Sequence, residues 1–120
     1  VYWVGSEYIN HPDHRAVAEA TLAALYPAAG KHRYFPELLE EGFEPHMVDE
    51  LYMHGSREPN LFIDITRYLD KKIAALRAHA SQLGEWDPEE MVRQWASEEG
   101  KRANPPVEYA ESFKRFTPEG

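Results

Sequence analysis

The stretch Leu61-Phe62-Ile63-Asp64-Ile65-Thr66 and the residues that follow it decide the predicted fold. Leu61 to Ile65 is short and mostly apolar, a pattern typical of a strand that is covered on two faces. Beyond it, apolar residues recur every three or four positions and predict one face of a helix: Ile65, Leu69, Ile73, Leu76, Ala80 and Leu83. Thr66 is predicted to cap this helix, and Gly84 follows its end. A strand that leads directly into an amphipathic helix indicates the α/β class.

The residues before this stretch predict further strands and an earlier helix. Val48 to His54 has the β-branched and aromatic composition of a strand, and Val1 to Val4 is typical of a strand end. A helix is predicted to begin at Pro12, because proline suits the first helical position, and to close by Gly30. One or two helical turns are predicted over residues 36–41.

The residues after it predict two more helices. Asp87 is a favourable N-cap and Pro88 a favourable first residue, so a helix is predicted from there to Gly100. Its predicted buried face consists of Met91, Val92 and Trp95. A last short helix is predicted over residues 107–116. Two or three short strands make a poor sheet by themselves, so residues 1–120 are predicted to form a single partial domain with a mixed or parallel sheet under helical cover.

Composition excludes several classes of function. The chain has 120 residues, a net charge of −8 and no cysteine. An acidic surface disfavours nucleic acid and anionic membranes, and the lack of thiols leaves only histidine and carboxylate ligands for any metal. No apolar run approaches the roughly 18 residues of a membrane span, and no signal-peptide pattern is present. We therefore expect no nucleic-acid partner, no membrane and a cytoplasmic location.

The segment Asn10-His11-Pro12-Asp13-His14 is the most suggestive chemically. With His11 as N-cap, His14 falls in the first turn and both imidazoles face the mouth of the helix. Asp13 lies between them and is placed to orient an imidazole by accepting an N–H. Two interpretations remain open: a metal or catalytic site, or polar residues that only cap a helix. A zinc site needs three or four ligands, and this segment supplies at most two histidines.

Two other polar residues are weaker candidates for a functional role. His79 is predicted near the end of the long helix, where a basic side chain usually complements the C-terminal dipole and more rarely serves a site. Asp64 lies in an apolar strand, and we expect it to cap the next helix rather than to catalyse.

A family resemblance rests on six stretches, which follow one another along the chain in this order: His11–Val17, Tyr34–Leu39, Glu44–His46, Ile63–Thr66, His79–Gln82 and Ala110–Lys114. Together they resemble the LmbE/PIG-L family of metal-dependent N-acetylglucosaminyl deacetylases, from about Tyr8 to Phe116. The resemblance implies a Rossmann-like α/β fold, of which this chain would be the C-terminal portion. It also implies hydrolysis of the acetyl amide of an N-acetylated amino sugar or a similar small amide.

The resemblance assigns roles to particular residues. It implies that His14 is a ligand of Zn²⁺ or another divalent metal, that His11 acts on the substrate carbonyl, and that Asp13 supports His11. Arg15 and His79 are implied on the substrate side. The family's first motif, His-Pro-Asp-Asp, does not occur in these residues. Two metal ligands and the catalytic base are missing with it, so we expect the isolated chain to be inactive and to bind zinc weakly.

Alternatives to this function remain open. The chain is expected to associate with the missing N-terminal segment or to form a homo-oligomer. A non-catalytic acidic interaction domain is one alternative, and an amidase acting on a non-sugar thiol conjugate is another.

Overall fold

The computed structural model describes residues 3–4 and 8–118. The chain divides into two compact units: a first unit of Val1–Leu51 with Phe116–Gly120, and a second unit of Tyr52–Arg115. Strands and helices occur in both, as the α/β prediction requires. Among the described residues, no helix is both long and apolar enough to cross a membrane.

A three-stranded sheet is built from β3 (Leu51–His54), β4 (Leu61–Asp64) and β5 (Ala110–Phe116), in the order β3-β5-β4. Strands β4 and β5 run antiparallel, with Leu61 opposite Phe113 and Asp64 opposite Ala110. The prediction of two strands near Val48–His54 and Leu61–Ile65 is confirmed, and that of a parallel pairing is wrong for β4 and β5.

The most important correction concerns residues 107–116, which were predicted to be a helix and contain the central strand of this sheet. Tyr109, Phe113 and Phe116 have helical spacing, but aromatic residues are equally at home in strands. Phe113 makes an edge-to-face contact with Tyr52, with ring centroids 6.0 Å apart. Pairing with a strand almost fifty residues earlier in the chain therefore decides the conformation.

The long predicted helix forms as two pieces, α3 (Leu69–Arg77) and α4 (Ala80–Leu83). Thr66 does not cap it, because its backbone N–H donates to Asp64 Oδ1 at 2.9 Å and its hydroxyl accepts from the Tyr109 N–H at 3.2 Å. These bonds hold Thr66 beside β5, and the helix begins three residues later. The prediction that Asp64 caps the next helix is also wrong, because its carboxylate accepts from the Thr66 N–H in a turn before the helix, and the N-cap position is Tyr68.

Helix α5 (Glu89–Arg102) packs on α3 and completes the core. Its buried positions are Val92, Ala96 and Gly100, each four residues from the next. Trp95 was predicted to be buried and is 60% exposed. The predicted end at Gly100 is also wrong. A Cβ there would collide with the carbonyl oxygens of Val107 and Glu108, so this glycine permits close packing rather than ending the helix.

The first unit contains a short antiparallel pair, β1 (Trp3–Val4) with β2 (Tyr8–Ile9), and two helices. Helix α1 (Pro12–Ala23) begins at the predicted proline and is followed by a wide turn over Ala24–Ala28, in which Tyr26 has extended backbone angles (φ −146°, ψ 124°). Helix α2 (Pro36–Glu40) is the predicted short turn. Residues 1–2 of the first predicted strand lie outside the described residues.

Candidate functional site

The start of α1 determines the position of His11. Pro12 occupies the first helical position and leaves His11 as N-cap, with extended backbone angles (φ −55°, ψ 141°). The imidazole Nδ1 accepts a hydrogen bond from the backbone N–H of Asp13 at 3.2 Å. An imidazole that accepts at Nδ1 carries its proton at Nε2. The cap therefore presents His11 as a hydrogen-bond donor through Nε2.

His14 lies at the same helix mouth, with its ring centroid 6.0 Å from that of His11. Its Nδ1 is 3.2 Å from the side-chain oxygen of Asn10. That oxygen can only accept, so the bond places the proton on Nδ1 and leaves the Nε2 lone pair for another partner. A neighbouring oxygen that orients a histidine in this way is typical of metal-binding histidines. The sequence contains this signal, since Asn10 precedes His14 by four residues.

Asp13 contributes to the His11 environment in two ways. Its backbone N–H fixes the imidazole, and its carboxylate Oδ2 lies 3.7 Å from His11 Nδ1. The side chains of His11 and Asp13 are 60% and 85% exposed, so solvent screens their attraction.

The remaining predicted residues occupy different places. The backbone N–H of Arg15 donates to the His11 carbonyl at 3.1 Å, which closes the first turn of α1. His79 belongs to the second unit, at the break between α3 and α4. Its N–H donates to the Leu76 carbonyl at 3.0 Å and its own carbonyl accepts from the N–H of Gln82 at 2.9 Å. His79 thus joins two helices through its backbone.

The donor set at the helix mouth matches part of a metal site. Within residues 3–4 and 8–118, no three His, Asp or Glu side chains converge in a way that would hold a metal. His14 Nε2 is the ring nitrogen that the bond to Asn10 leaves for a metal, and zinc needs three or four ligands in all. The residues present therefore fit the role of one ligand, with His11 beside it as a donor.

Shifted pKa values point to a different cluster, which joins α3 to the start of α5. Hydrogen bonds from Arg77 lower the pKa of Asp87, and those from Arg93 and Arg77 lower the pKa of Glu89. Arg93 also bonds Asp70 at 3.0 Å. Perturbed carboxylates sometimes mark active sites, but here each has an arginine partner at the surface. We therefore interpret this cluster as structural.

Comparison with known proteins relates the chain to deacetylases. No family model matches it. It is 32% identical over 116 residues to a protein named diacetylchitobiose deacetylase from Thermococcus kodakarensis, a match that covers 92% of this chain and 41% of that protein. Its structure is similar to that of N,N′-diacetylchitobiose deacetylase from Pyrococcus horikoshii in complex with an inhibitor, with a TM-score of 0.80 and 24% identity. That structural match covers 96% of this chain and 43% of the other. The chain thus spans about two fifths of the length of each protein and shares the fold of the second.

Proposed function

We propose that this chain is part of a metal-dependent deacetylase that hydrolyses the acetyl amide of an N-acetylated amino sugar. The observation that carries the proposal is the 32% identity, over 92% of the chain, to a protein named diacetylchitobiose deacetylase. The histidine pair at the mouth of α1 supports it, because one imidazole is oriented as a ligand and the other as a donor. We place the proposed enzyme in the cytoplasm.

In the proposed mechanism His14 would hold the metal, with its ring kept in place by the bond to Asn10. The ion, taken to be Zn²⁺, supplies Lewis acidity toward the amide carbonyl and a water of lowered pKa when it is bound. His11 donates from Nε2 to the carbonyl oxygen as negative charge develops there. We propose that Asp13 supports His11, because its backbone N–H bonds Nδ1 and its carboxylate lies 3.7 Å from the same nitrogen. We assign Arg15 to a contact with the substrate.

The proposal requires ligands and a catalytic base beyond these residues. We propose His14 as the one ligand that these residues contribute, since no three His, Asp or Glu side chains in the described part of the chain are placed to hold a metal. We propose that the remaining ligands and the base come from polypeptide other than these 120 residues, either a further segment or an associated chain. The isolated 120-residue chain is then expected to bind zinc weakly.

Zinc binding and acetate release test the proposal. We expect the natural protein to release acetate from N,N′-diacetylchitobiose, and a panel that includes acetylated thiol conjugates would distinguish a non-sugar amidase. His14→Ala should weaken zinc binding at least about tenfold and abolish acetate release, because a direct ligand is lost. His54→Ala is the matched control, since this exposed histidine lies in β3 and has no proposed role. Equal zinc affinity in the natural protein and the His14 variant would contradict the proposal.

A second candidate function is a non-catalytic interaction domain, which one observation favours. Among the described side chains of the first unit none is buried, and several large apolar ones are exposed, including Ile9, Val17 and Phe43. Such a surface is suited to association with another chain. Sedimentation tests this candidate: a monomer at high concentration that binds no hydrophobic dye would exclude it.

A further inference from the structure

Asn10 lies between β2 and α1, directly before His11, the N-cap residue of that helix. Its side-chain oxygen Oδ1 lies 3.2 Å from Nδ1 of His14. The first turn of α1 is closed, because the Arg15 N–H donates to the His11 carbonyl at 3.1 Å. The contact between Asn10 and His14 therefore spans the start of a helix whose backbone is fixed.

The partner of Nδ1 decides which nitrogen of a neutral imidazole holds its single proton. With the Asn10 oxygen as partner, the bond requires the proton on Nδ1 of His14 and leaves Nε2 unprotonated. The other tautomer would place the lone pair of Nδ1 against that oxygen, which is repulsive. A metal binds only an unprotonated ring nitrogen, so the bond selects the tautomer that has Nε2 available.

The neighbouring histidine is held in the opposite tautomer. His11 Nδ1 accepts from the backbone N–H of Asp13 at 3.2 Å, so the proton of His11 is on Nε2. Both rings are exposed, and their centroids lie 6.0 Å apart. They differ in the partner of Nδ1, which is a backbone donor for His11 and a side-chain acceptor for His14. A side-chain partner can be replaced without altering the backbone, so the tautomer of His14 depends on the residue at position 10.

We propose that Asn10 is a positioning residue that holds His14 in the Nδ1-protonated tautomer before any metal is bound. This role rests on the proposed function in one respect, that His14 is taken as a metal ligand. A ring that already has the required tautomer binds a metal without moving its proton. Loss of a group that orients a ligating histidine typically weakens metal binding by about 10–100-fold.

The two ends of the Asn10 amide have opposite effects on the ring. If the amide turned over, its NH₂ group would lie beside Nδ1 of His14 and would favour the proton on Nε2. A carboxylate presents an acceptor at both ends, so Asn10→Asp should hold the Nδ1-protonated tautomer at least as well as asparagine does. Asn10→Ala should release the ring to the tautomer that a solvated histidine prefers, with the proton on Nε2.

The ¹⁵N shifts of the histidine rings in the metal-free natural protein, recorded at alkaline pH where imidazoles are neutral, measure the tautomer. His14→Ala identifies the signal of His14 by its loss. We expect a ring protonated at Nδ1 in the natural protein and in Asn10→Asp, and one protonated mainly at Nε2 in Asn10→Ala. Zinc affinity should fall about 10–100-fold in Asn10→Ala and should not fall in Asn10→Asp. Gln82→Ala, which removes an exposed amide of α4, is the matched control and should change neither reading.

Three results would overturn the proposal. One is a His14 ring protonated at Nε2 in the natural metal-free protein. Another is the same tautomer of His14 in the natural protein and in Asn10→Ala. The third is an equal loss of zinc affinity in Asn10→Asp and Asn10→Ala, because the aspartate retains the acceptor.

The tautomer is measured without metal or substrate, so its outcome is independent of the proposed deacetylation. A natural protein that releases no acetate, but whose His14 tautomer responds to Asn10 as expected, would contradict deacetylation and support the role of Asn10. A deacetylase whose His14 tautomer ignores Asn10→Ala would contradict only the role of Asn10.

Discussion

His11 combines two roles that a pair of substitutions can separate. Its ring caps α1 through the Asp13 N–H, and its Nε2 is the proposed donor to the substrate. We expect His11→Ala to destabilise α1 by about 1 kcal/mol, because a helix without a side-chain cap loses roughly that amount. His11→Asn should retain the cap, since asparagine is a good N-cap residue, and should still lose deacetylation. Hydrogen exchange of the α1 amides measures the first effect and acetate release by the natural protein measures the second.

If His11 only caps the helix, the acetate release of the two variants should follow a different pattern. In that case His11→Asn should keep full activity, and His11→Ala should lose activity only to the extent that α1 unfolds. Full acetate release by His11→Asn would therefore contradict the catalytic assignment and leave the capping role in place.

At the scale of single residues the sequence predicts the position of His11 well and the partners of His14 poorly. Pro12 fixes the helix start, and with it the cap, by local rules alone. The bond between His14 and Asn10 depends on the rotamers of two exposed side chains, which no pattern of residue types specifies. The role of Thr66 is also non-local, since its hydroxyl bonds Tyr109, 43 residues later.

At the scale of elements, Gly100 controls how closely α5 approaches the segment that leads into β5. The Gly100 carbonyl accepts from the Val107 N–H at 3.1 Å, and a Cβ at this position would lie 2.8 Å from the Glu108 carbonyl oxygen. Alanine favours a helix over glycine by up to about 1 kcal/mol. We expect the collision with backbone to outweigh this gain, so Gly100→Ala should destabilise the chain by about 1–3 kcal/mol. Denaturant unfolding measures the change.

A matched alanine substitution on the same helix tests that reasoning. Ser97→Ala also replaces a weaker helix former, and Ser97 is not among the buried positions of α5, so we expect it to be neutral or slightly stabilising. If Ser97→Ala and Gly100→Ala changed the free energy of unfolding equally, the close approach at Gly100 would contribute nothing to stability.

The ion cluster that joins α3 to α5 predicts an acid-sensitive contribution to stability. Arg77 Nη2 lies 2.7 Å from Asp87 and 2.5 Å from Glu89. These bonds lower the pKa of Asp87 below its usual 3.8 and that of Glu89 below its usual 4.5. Since the unfolded chain binds protons first, the contribution is complete above these usual values and is lost as the pH falls through the lower folded values. We expect Arg77→Gln to reduce stability at neutral pH by an amount that shrinks below about pH 4.5.

Unfolding curves collected from pH 3 to pH 7 measure this difference, and Arg57→Gln serves as the control because Arg57 is exposed on the connection between β3 and β4. A pH-independent difference between Arg77→Gln and the natural chain would contradict the interpretation. The same difference in both arginine variants would indicate a general charge effect instead.

Elements with a strong local period were predicted correctly, and those that depend on distant partners were not. The face Leu69, Ile73 and Leu76 repeats at helical spacing, and it packs in the core as expected. The segment that contains β5 has the same spacing in its aromatic residues, yet its backbone pairs with β4. The period of a short segment cannot distinguish these outcomes, because tertiary hydrogen bonds decide between them.

At the scale of the whole molecule, the buried core lies within one unit. Ile65, Leu69, Ile73, Val92 and Ala96 form it, and all belong to the second unit. No described side chain of the first unit is buried. Apolar burial is the main source of folding free energy, so the two units should differ in resistance to local opening. A sequence with apolar stripes in both halves gives no indication of this difference.

Native-state hydrogen exchange of the whole chain measures that difference helix by helix. We expect the amides of α3 and α5 to exchange only through global unfolding and those of α1 to exchange through smaller openings. Ile73→Ala, which truncates a side chain only 2% exposed, should lower the free energy of exchange in α3 and α5 by about 2–5 kcal/mol. The exchange of α1 should change little, because Ile73 belongs to the core of the second unit. Leu22→Ala on α1 is the matched control, since Leu22 is 39% exposed and its loss should leave α3 and α5 unaffected. Equal protection of α1 and α3 in the natural chain would mean that α1 draws its stability from burial in an assembly, which favours the interaction domain over an isolated two-unit chain.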